Sequence, residues 1–223
     1  RFNIVENIDG INHIDKANLD KVDAVIKNKD FHPKKAEFIS FEKYIDEGGY
    51  TLFNKIKSNE VTFEELSEVI GSSNLRGLGG AGFPAAKKWE FVRANKGPRM
   101  MCINGDEGEV GTFKDKYYLD NDPHRFLEGT LIAAHMVSAD KCFIYMRDEY
   151  PGIIKILREE VGKLESKGLI NKGLVEIRRG AGAYICGEES ALIESVEGKR
   201  GIPRHRPPYV AQNGVFGLPT LVH

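Results

Sequence analysis

The sequence predicts an α/β fold in which helices flank a mostly parallel sheet, and a short helical N-terminal region precedes it. Two observations lead to this prediction. Short apolar runs alternate with longer helical patterns, which is the order expected of parallel strands joined by helical crossovers. Glycine-rich and acidic segments follow these runs, and ligands of parallel sheets bind at the carboxyl ends of the strands. The fold class therefore also predicts where a ligand binds.

The first part of the chain divides into an N-terminal extension of unknown role, residues 1–40, and a helical lead-in, residues 41–75. In the extension, apolar residues at helical spacing predict one amphipathic helix over Asn18 to Lys27. In the lead-in, Thr62 followed by Glu65 forms a capping box, which marks the start of a helix. The helical patterns of the lead-in cover Phe41 to Ile45, Tyr50 to Ile56 and Thr62 to Ile70.

Residues 76–223 are predicted to form the main domain, in which strands and helices alternate. The predicted strands cover Met100 to Asn104, Lys141 to Met146 and Leu174 to Ile177, and the predicted helices cover Phe126 to Ser138, Pro151 to Lys167 and Ser190 to Val196. A further amphipathic segment runs through Trp89 and Phe91. The chain starts at Arg1 instead of Met and stops after a strand pattern, Leu218 to Val222, so we expect a fragment of a longer protein.

Composition excludes several classes of function. With 32 Lys and Arg against 33 Asp and Glu, the formal net charge is -1, so no positive field favours nucleic acid. Cys102, Cys142 and Cys186 are odd in number and far apart, which argues against a disulfide framework and for a reducing cytoplasm. No pair has the spacing of a zinc or iron–sulfur site, and we expect no metal ligand. No apolar stretch is long enough to span a bilayer, so we expect no direct membrane insertion.

The glycine-rich run Gly77-Leu78-Gly79-Gly80-Ala81-Gly82 satisfies the pattern G-x-G-x-x-G. In that pattern, missing side chains let backbone N–H groups approach a pyrophosphate at a helix N-terminus. A true dinucleotide fingerprint follows a strand, whereas Phe63 to Ile70 before this run is helical. We therefore interpret the run as a loop that contacts a cofactor outside the standard Rossmann crossover; the alternative is an ordinary flexible turn.

Three carboxylates follow the first predicted strand of the main domain in the run Asn104-Gly105-Asp106-Glu107-Gly108-Glu109. Because carboxylates repel phosphates, near a nucleotide they are expected to accept hydrogen bonds from ribose hydroxyls, a carboxamide or a flavin ring N–H. A metal site and a solvated acidic loop are the alternatives, although the run lacks the pattern of an EF-hand.

Two later clusters have features of a nucleotide site. In Gly180 to Glu189, small residues permit close approach, while Tyr184 and the Glu188-Glu189 pair offer stacking and hydrogen bonds. Cys186 in this run has no His nearby in sequence to activate it, so we interpret it as a packing residue. In Lys199 to Tyr209, basic residues could neutralise phosphates and the final aromatic could stack on adenine, or the run is a solvated loop stiffened by prolines.

In this order, the four clusters resemble the motif set of the family of flavoprotein (FMN/NADH-binding) subunits of complex I. The matching runs are Arg76-Gly77-x-Gly79-Gly80-Ala81-Gly82-Phe83-Pro84 with Lys88-Trp89, Asn104-x-Asp106-Glu107-x-Glu109 with Phe113-Lys114-Asp115, Gly180 to Glu189, and Pro207-Pro208-Tyr209. The resemblance covers about Phe41 to His223 and is greatest to the beta subunit of NAD-dependent formate dehydrogenase and the diaphorase of NAD-reducing hydrogenase.

The resemblance implies that residues 76–223 are a Rossmann-like FMN/NADH-binding domain whose C-terminal part is incomplete. The implied FMN contacts are Gly77, Gly79, Gly80, Ala81, Gly82, Lys88, Asn104, Asp106, Glu107, Tyr184, Gly187, Glu188 and His223. The implied NADH site comprises Phe83, Phe91, Glu109, Glu189, Arg206 and Tyr209, with Phe83 and Glu109 as positioning groups of the catalytic centre. Glu189 near the adenosine ribose would repel a 2′-phosphate, which favours NADH over NADPH.

Three positions depart from the family pattern. Ala85-Ala86 stands where members usually have Thr-Gly, and Arg206 stands where many have Lys. His223 falls where many members have an Asn next to the flavin phosphate.

The implied function is that of an NADH dehydrogenase (diaphorase) module, in which a hydride passes between NAD(H) and FMN. In the family, a 4Fe-4S cluster is bound by a later region absent from this chain, and the partners are a 2Fe-2S thioredoxin-like subunit and a larger redox subunit. We expect a cytoplasmic location. One alternative is a degenerate, non-catalytic nucleotide-binding subunit of the same fold. Another is the related membrane-associated ferredoxin:NAD subunit, whose acidic loop would contain a Cys where this chain has Gly108.

Overall fold

The N-terminal residues form an antiparallel hairpin in the computed structural model, which describes residues 2–7, 10–15, 18–28, 34–78 and 81–223. Strand β1, Phe2–Asn7, pairs with β2, Gly10–Asp15, so that Phe2 lies opposite Asp15. The sequence did not predict these strands, because Asn and Asp are depleted in strands and obscured the pattern. Helix α1 follows at Leu19–Asn28, where the sequence predicted a helix.

Three helices form the lead-in, in agreement with the sequence. They are α2, Phe41–Asp46, α3, Thr51–Lys57, and α4, Phe63–Ser72. The predicted capping box is confirmed: the Thr62 side chain accepts from the Glu65 backbone N–H at 3.2 Å, and the Glu65 carboxylate accepts from the Thr62 N–H at 2.8 Å.

The carboxylate of Glu128 ties the lead-in to the helix that covers the sheet. It accepts hydrogen bonds from the Tyr44 hydroxyl at 2.6 Å and from the backbone N–H groups of Tyr50 and Phe53 at 2.9 and 3.3 Å. Tyr50 is fully buried. The lead-in therefore shares one hydrophobic core with the rest of the chain.

Beyond the lead-in, helices and strands alternate as the sequence predicted. The helices are α5, Ala85–Arg93, α6, Lys114–Asn121, α7, Pro123–Met136, α8, Pro151–Ser166, and α9, Glu189–Val196. The strands are β3, Met100–Gly105, β4, Lys141–Met146, β5, Val175–Arg179, and β6, Thr220–Val222. Helix α6 was not predicted: Leu119 is its one buried residue, so it shows no apolar stripe.

The four later strands form one parallel sheet in the order β5-β4-β3-β6. Met101, Cys142 and Ile144 face the larger core with α5, α7 and α8, whereas Cys102 and Phe143 face a second core with α9. Helices thus cover both faces, and the predicted fold class is confirmed. Because all four strands are parallel, their carboxyl ends lie along one edge. Within the described ranges, no helix combines the length and apolar character needed to cross a membrane.

Candidate functional site

Four segments meet at the carboxyl edge of the sheet, where the fold class predicts that a ligand binds. The acidic loop follows β3, Arg147 follows β4, the run Gly180 to Gly187 follows β5, and His223 follows β6. The Asn104 amide donates to the Gly187 carbonyl at 2.8 Å and so joins the acidic loop to the third cluster. Residues from separate predicted motifs therefore form one surface.

The glycine loop is closed at its base by two backbone hydrogen bonds. Gly77 N–H donates to the Phe83 carbonyl and Ala85 N–H donates to the Leu75 carbonyl, each at 2.9 Å. The Arg76 guanidinium donates to the Gly82 carbonyl at 3.1 Å from outside the loop. Gly82 has a φ of +59°, a left-handed conformation that favours glycine.

Within the loop, Ala81 is exposed, as expected of a residue that offers its backbone to a ligand. The predicted contacts Gly79 and Gly80 lie outside the described residues. The element before the loop is helix α4, in agreement with the sequence argument against a standard Rossmann crossover.

Lys88 connects the glycine loop to the sheet edge. The loop leads into α5, whose N-cap Pro84 supplies no side-chain hydrogen bond to the first turn. One turn later, the Lys88 ammonium donates to the Val222 carbonyl at 3.0 Å, at the end of β6. This contact brings a positive charge and the start of α5 beside His223.

His223 is held at the end of β6 by bonds to β3 and α5. Its N–H donates to the Cys102 carbonyl at 2.9 Å, its carbonyl accepts from the Asn104 N–H, and its Nε2 accepts from the Trp89 indole N–H at 2.6 Å. Burial, with the nearby Lys88 charge, lowers the pKa of His223 to about 4. The imidazole is therefore neutral at pH 7.

Asp106 presents an unused acceptor to the site. Its Oδ2 atom is buried and has no hydrogen-bond partner among the described residues. Burial raises the pKa of Asp106 to about 6, an effect opposed by the positive charge of Arg147 and reinforced by Glu149. A buried acceptor without a partner is costly, so a ligand that donates an N–H here would be favoured.

Glu107 faces the protein interior instead of the site. Its carboxylate accepts from the backbone N–H groups of Asp115 and Lys116 at 2.7 and 3.1 Å and from the Tyr150 hydroxyl at 2.9 Å. The side chain is 5% exposed. The sequence grouped Glu107 with the cofactor contacts, but the structure uses this carboxylate to cap α6. Glu109 differs, because it lies exposed on the outer turn of the same loop.

Gly187 packs closely against Asp106, and Gly108 packs against Tyr184. Tyr184 begins a 3₁₀ turn, Tyr184–Gly187, and its ring is largely exposed. A Cβ atom at Gly187 would lie 3.3 Å from Asp106 Oδ2, and one at Gly108 would lie 3.3 Å from the Tyr184 ring. A side chain at either glycine would therefore crowd its neighbour. Cys186 in the same turn is buried, in agreement with its interpretation as a packing residue.

Arg206 links the predicted pair of carboxylates. Its guanidinium binds Glu188 and lies 2.9 Å from the Glu189 carboxylate, although the two segments are 18 residues apart. The other Glu188 oxygen caps α9 by accepting from Ser190 and Ala191 N–H at 2.9 and 3.0 Å. The three charges therefore form one partly exposed cluster.

The predicted aromatic residues are only partly brought together. The rings of Phe83 and Phe91 lie 6.1 Å apart, and both are exposed, at 38% and 56%. Tyr209 is also exposed, but among the rings of the described residues no contact joins it to either phenylalanine. The two phenylalanines thus form one exposed aromatic pair at α5, which Tyr209 does not join through a ring contact.

Sequence reasoning missed three residues that organise the site. Arg147 donates to the Glu107 carbonyl and shifts the titration of Asp106, and its position directly after β4 was a usable signal. Trp89 binds His223 although 134 positions separate them in the sequence, so no local pattern could reveal this pair. Arg204 binds Glu194 at 2.5 Å and Glu197 at 3.0 Å, so this part of the basic run anchors a loop to α9 and is not free for phosphates. No group of three or more metal-ligating side chains occurs in the ranges described.

Comparison with known proteins gives consistent matches. Residues 70–223 match the family model described as the Nuo51 FMN-binding domain. An NADH-quinone oxidoreductase subunit of Aquifex aeolicus (strain VF5) is 44% identical over 198 residues, which are 85% of this chain and 46% of that protein. NADH dehydrogenase [ubiquinone] flavoprotein 1, mitochondrial, of Dictyostelium discoideum is 44% identical over 168 residues, 70% of this chain and 35% of that protein.

A solved structure matches as well. The NAD+-reducing [NiFe]-hydrogenase in the air-oxidized state superposes with a TM-score of 0.75 at 35% identity, over 96% of this chain and 40% of that chain. The chain thus spans less than half the length of these relatives.

Proposed function

The chain belongs to the family of Nuo51 FMN-binding domains, and on that premise we propose that it is the FMN- and NADH-binding part of an NADH dehydrogenase subunit. The observation that best supports the proposal is the buried, unpartnered Asp106 Oδ2 atom beside Gly187, at the carboxyl edge of the sheet. A flavin ring carries an N–H that this acceptor could bind, and its phosphate suits the backbone N–H groups of a glycine loop. The residues present therefore fit FMN.

The FMN site comprises groups from every segment at this edge. Gly77 to Gly82, Lys88 and His223 suit the phosphate end, because they supply N–H donors and one positive charge. Asn104, Asp106 and Tyr184 suit the ring, because they supply hydrogen-bonding groups and an aromatic face, and Gly187 adds no side chain there. Glu188, which caps α9, is a further proposed contact. When bound, FMN supplies the hydride-accepting chemistry, and the side chains orient and shield it.

The NADH site lies at the outer rim, in front of the FMN site. Phe83 and Phe91 offer apolar faces on which a base can stack. The Glu188, Glu189 and Arg206 cluster can pair with ribose hydroxyls through its carboxylates, and these carboxylates would repel a 2′-phosphate. We therefore propose NADH as the substrate over NADPH. Glu109, exposed on the acidic loop, is the proposed positioning carboxylate of the catalytic centre.

We propose that electrons leave through other parts of a longer subunit. One relative is named as part of an NADH-quinone oxidoreductase, and one structural match is a NAD+-reducing hydrogenase, so a multi-subunit redox complex is the proposed setting. Within it, we propose a 4Fe-4S cluster in the rest of the subunit, and a 2Fe-2S thioredoxin-like subunit and a larger redox subunit as partners. A cytoplasmic location is part of the same proposal.

The test combines binding and reduction. The purified chain is mixed with FMN, the excess is removed, and flavin absorbance at about 450 nm is followed on adding NADH. We expect stoichiometric FMN, bleaching by NADH and NADH-dependent reduction of ferricyanide. Bound FMN without bleaching would contradict the dehydrogenase proposal and leave a nucleotide-binding subunit. Absence of FMN from both this chain and the longer subunit would contradict the proposal entirely.

A further inference from the structure

Trp89 determines which nitrogen of His223 carries the proton. The indole N–H lies 2.6 Å from His223 Nε2, with the two rings 6.2 Å apart and inclined at 69°. An indole N–H can only donate, so Nε2 must be the acceptor. A neutral imidazole that accepts through Nε2 carries its proton on Nδ1. The contact thus selects the Nδ1–H tautomer.

The surroundings of His223 keep its ring neutral. Burial disfavours the charged imidazolium, and the Lys88 ammonium, which binds the adjacent Val222 carbonyl, adds like-charge repulsion. Protonation of Nε2 would also break the hydrogen bond with Trp89, which itself is 5% exposed in the core. His223 therefore acts as a neutral donor near a positive charge.

Nδ1 is the ring nitrogen of His223 that does not bind Trp89. The His223 backbone is fixed to β3 through Cys102 and Asn104, so the ring cannot shift along the strand. Hydrogen bonds of His223 within the described chain involve its backbone and Nε2, and none involves Nδ1. Among the described residues, Nδ1–H therefore has no acceptor and is available to a ligand.

We propose that Trp89 is a positioning residue that fixes His223 as the Nδ1–H tautomer, so that His223 donates a hydrogen bond to an acceptor oxygen of the bound flavin nucleotide beside Lys88. This inference rests on the proposed function, because it assumes an oxygen-rich ligand at this edge. The acceptor is an oxygen of the phosphate or of the flavin ring, and both have the same hydrogen-bonding chemistry.

The Nδ1–H tautomer gives the His223 side chain the same pair of polar functions as a primary amide. An Asn side chain accepts through its oxygen and donates through its nitrogen. The Nδ1–H imidazole offers the same pair, an acceptor for Trp89 and a donor for the ligand. The Nε2–H tautomer would instead place a donor at Trp89, which cannot accept a hydrogen bond, and would leave an acceptor for the ligand. Trp89 thus makes His223 equivalent to an amide.

The first experiment measures the tautomer directly in the chain without ligand. Histidine ring nitrogens are labelled with ¹⁵N, and the His223 signals are identified by their loss in His223→Asn. We expect a protonated Nδ1, an unprotonated Nε2 and no titration of this ring near pH 6.5. In Trp89→Phe, which removes the indole N–H and keeps an aromatic ring, we expect the Nε2–H form to appear and the pKa of His223 to rise. An Nε2–H tautomer in the wild type would overturn the inference.

The second experiment asks whether Trp89 acts through His223. FMN affinity is measured for Trp89→Phe, His223→Leu and the double variant. We expect each single change to weaken binding about tenfold, the loss of roughly one hydrogen bond, and the double change to add little more. His223→Asn should recover most of the affinity lost in His223→Leu. Independent, multiplicative losses would overturn the positioning role.

Riboflavin and inorganic phosphate distinguish the two acceptor oxygens. If His223 binds the phosphate, His223→Leu should weaken FMN but leave riboflavin unchanged, and phosphate should shift the His223 nitrogen signals. If His223 binds a ring oxygen, FMN and riboflavin should weaken equally. Equal binding of both ligands to wild type and His223→Leu would contradict the donor role. A wild-type chain with the Nδ1–H tautomer but no flavin binding would contradict the proposed function and the ligand contact, and leave the Trp89 effect on the tautomer.

Discussion

Gly187 packs against Asp106: a Cβ atom at position 187 would lie 3.3 Å from Asp106 Oδ2. Among the carboxylate oxygens buried in the described chain, Oδ2 is the only one that lacks a hydrogen-bond partner. The two residues come from loops that follow different strands, β5 and β3. A side chain at Gly187 would therefore crowd this oxygen, whereas a change of Asp106 would remove it. Both changes lead to predictions about flavin binding.

Asp106 should make FMN affinity depend on pH. Burial raises the pKa of Asp106 to about 6 in the chain without ligand. An N–H donor prefers the ionised carboxylate, so binding should strengthen as pH rises from about 5 to 7 and then level off. Asp106→Asn cannot ionise, so its affinity should be lower at pH 7 and should rise less across this range than that of the wild type. Fluorescence quenching titrations at several pH values measure both profiles, and parallel profiles for the two proteins would contradict the role of Asp106.

Gly187→Ala should weaken FMN binding more than it affects folding. The added methyl group would lie 3.3 Å from Asp106 Oδ2, a tight contact that crowds the proposed flavin acceptor. We expect a loss of affinity of about tenfold, comparable to one hydrogen bond. Gly162→Ala in α8 is the matched control, because its Cβ meets nothing within 4 Å. The control should bind FMN normally and gain about 0.5–1 kcal/mol of stability from helix propensity. Unchanged FMN affinity in Gly187→Ala would place the flavin elsewhere.

Glu107→Gln should destabilise the chain even without a cofactor. The buried carboxylate accepts two backbone N–H bonds at the start of α6 and one from Tyr150. Replacing it with an amide removes the charge that strengthens these bonds, at a cost of about 1–3 kcal/mol in the free energy of unfolding. Urea unfolding measures this cost, with the exposed Glu68→Gln as control. A loss of FMN affinity without loss of stability would instead favour the cofactor contact that the sequence predicted.

His124 should make the chain less stable at acidic pH. Its Nε2 lies 2.9 Å from Glu160, its Nδ1 lies 2.9 Å from the Tyr50 hydroxyl, and burial lowers the pKa of His124. The folded state therefore binds this proton less readily than the unfolded state, whose pKa is about 6.5, and stability is lost as pH falls below that value. His124→Gln keeps an amide donor and acceptor but does not titrate. Its free energy of unfolding should be lower at pH 7 and should vary less between pH 7 and 5; an equal variation would contradict the prediction.

The sequence predicted the architecture where the determinants are local. Strand β4 has the predicted bounds, Lys141–Met146, because a buried apolar run is bounded by polar residues on both sides. The capping box of Thr62 and Glu65 places the start of α4 for the same reason. Helix α6 was not predicted because the carboxylate that caps it belongs to Glu107, which lies outside the helix. In the sequence, Glu107 is part of an acidic run that resembles a ligand-binding loop.

The site was predictable in location and in residue types, but its internal pairing was not. The carboxyl ends of parallel strands had to meet, so the motifs after β3 and β5 had to be neighbours. Which carboxylate is held by hydrogen bonds, as that of Glu107 is, and which keeps an unpartnered oxygen, as that of Asp106 does, depends on the backbone of α6 and on Arg147. The pairing of Trp89 with His223 depends on how α5 packs on β6. Such contacts follow from tertiary packing and leave no periodic trace in the sequence.

The three hydrogen bonds of the Glu128 carboxylate to the lead-in have a practical consequence for truncation. A fragment that begins at residue 76 would carry every proposed flavin contact, yet it would leave this acidic group on α7 without donor partners and uncover the apolar surface beneath Tyr50. Such a fragment should aggregate or fail to express. The shortest autonomous folding unit is therefore longer at its amino end than the ligand site alone requires, and the boundary for protein engineering lies before Phe41.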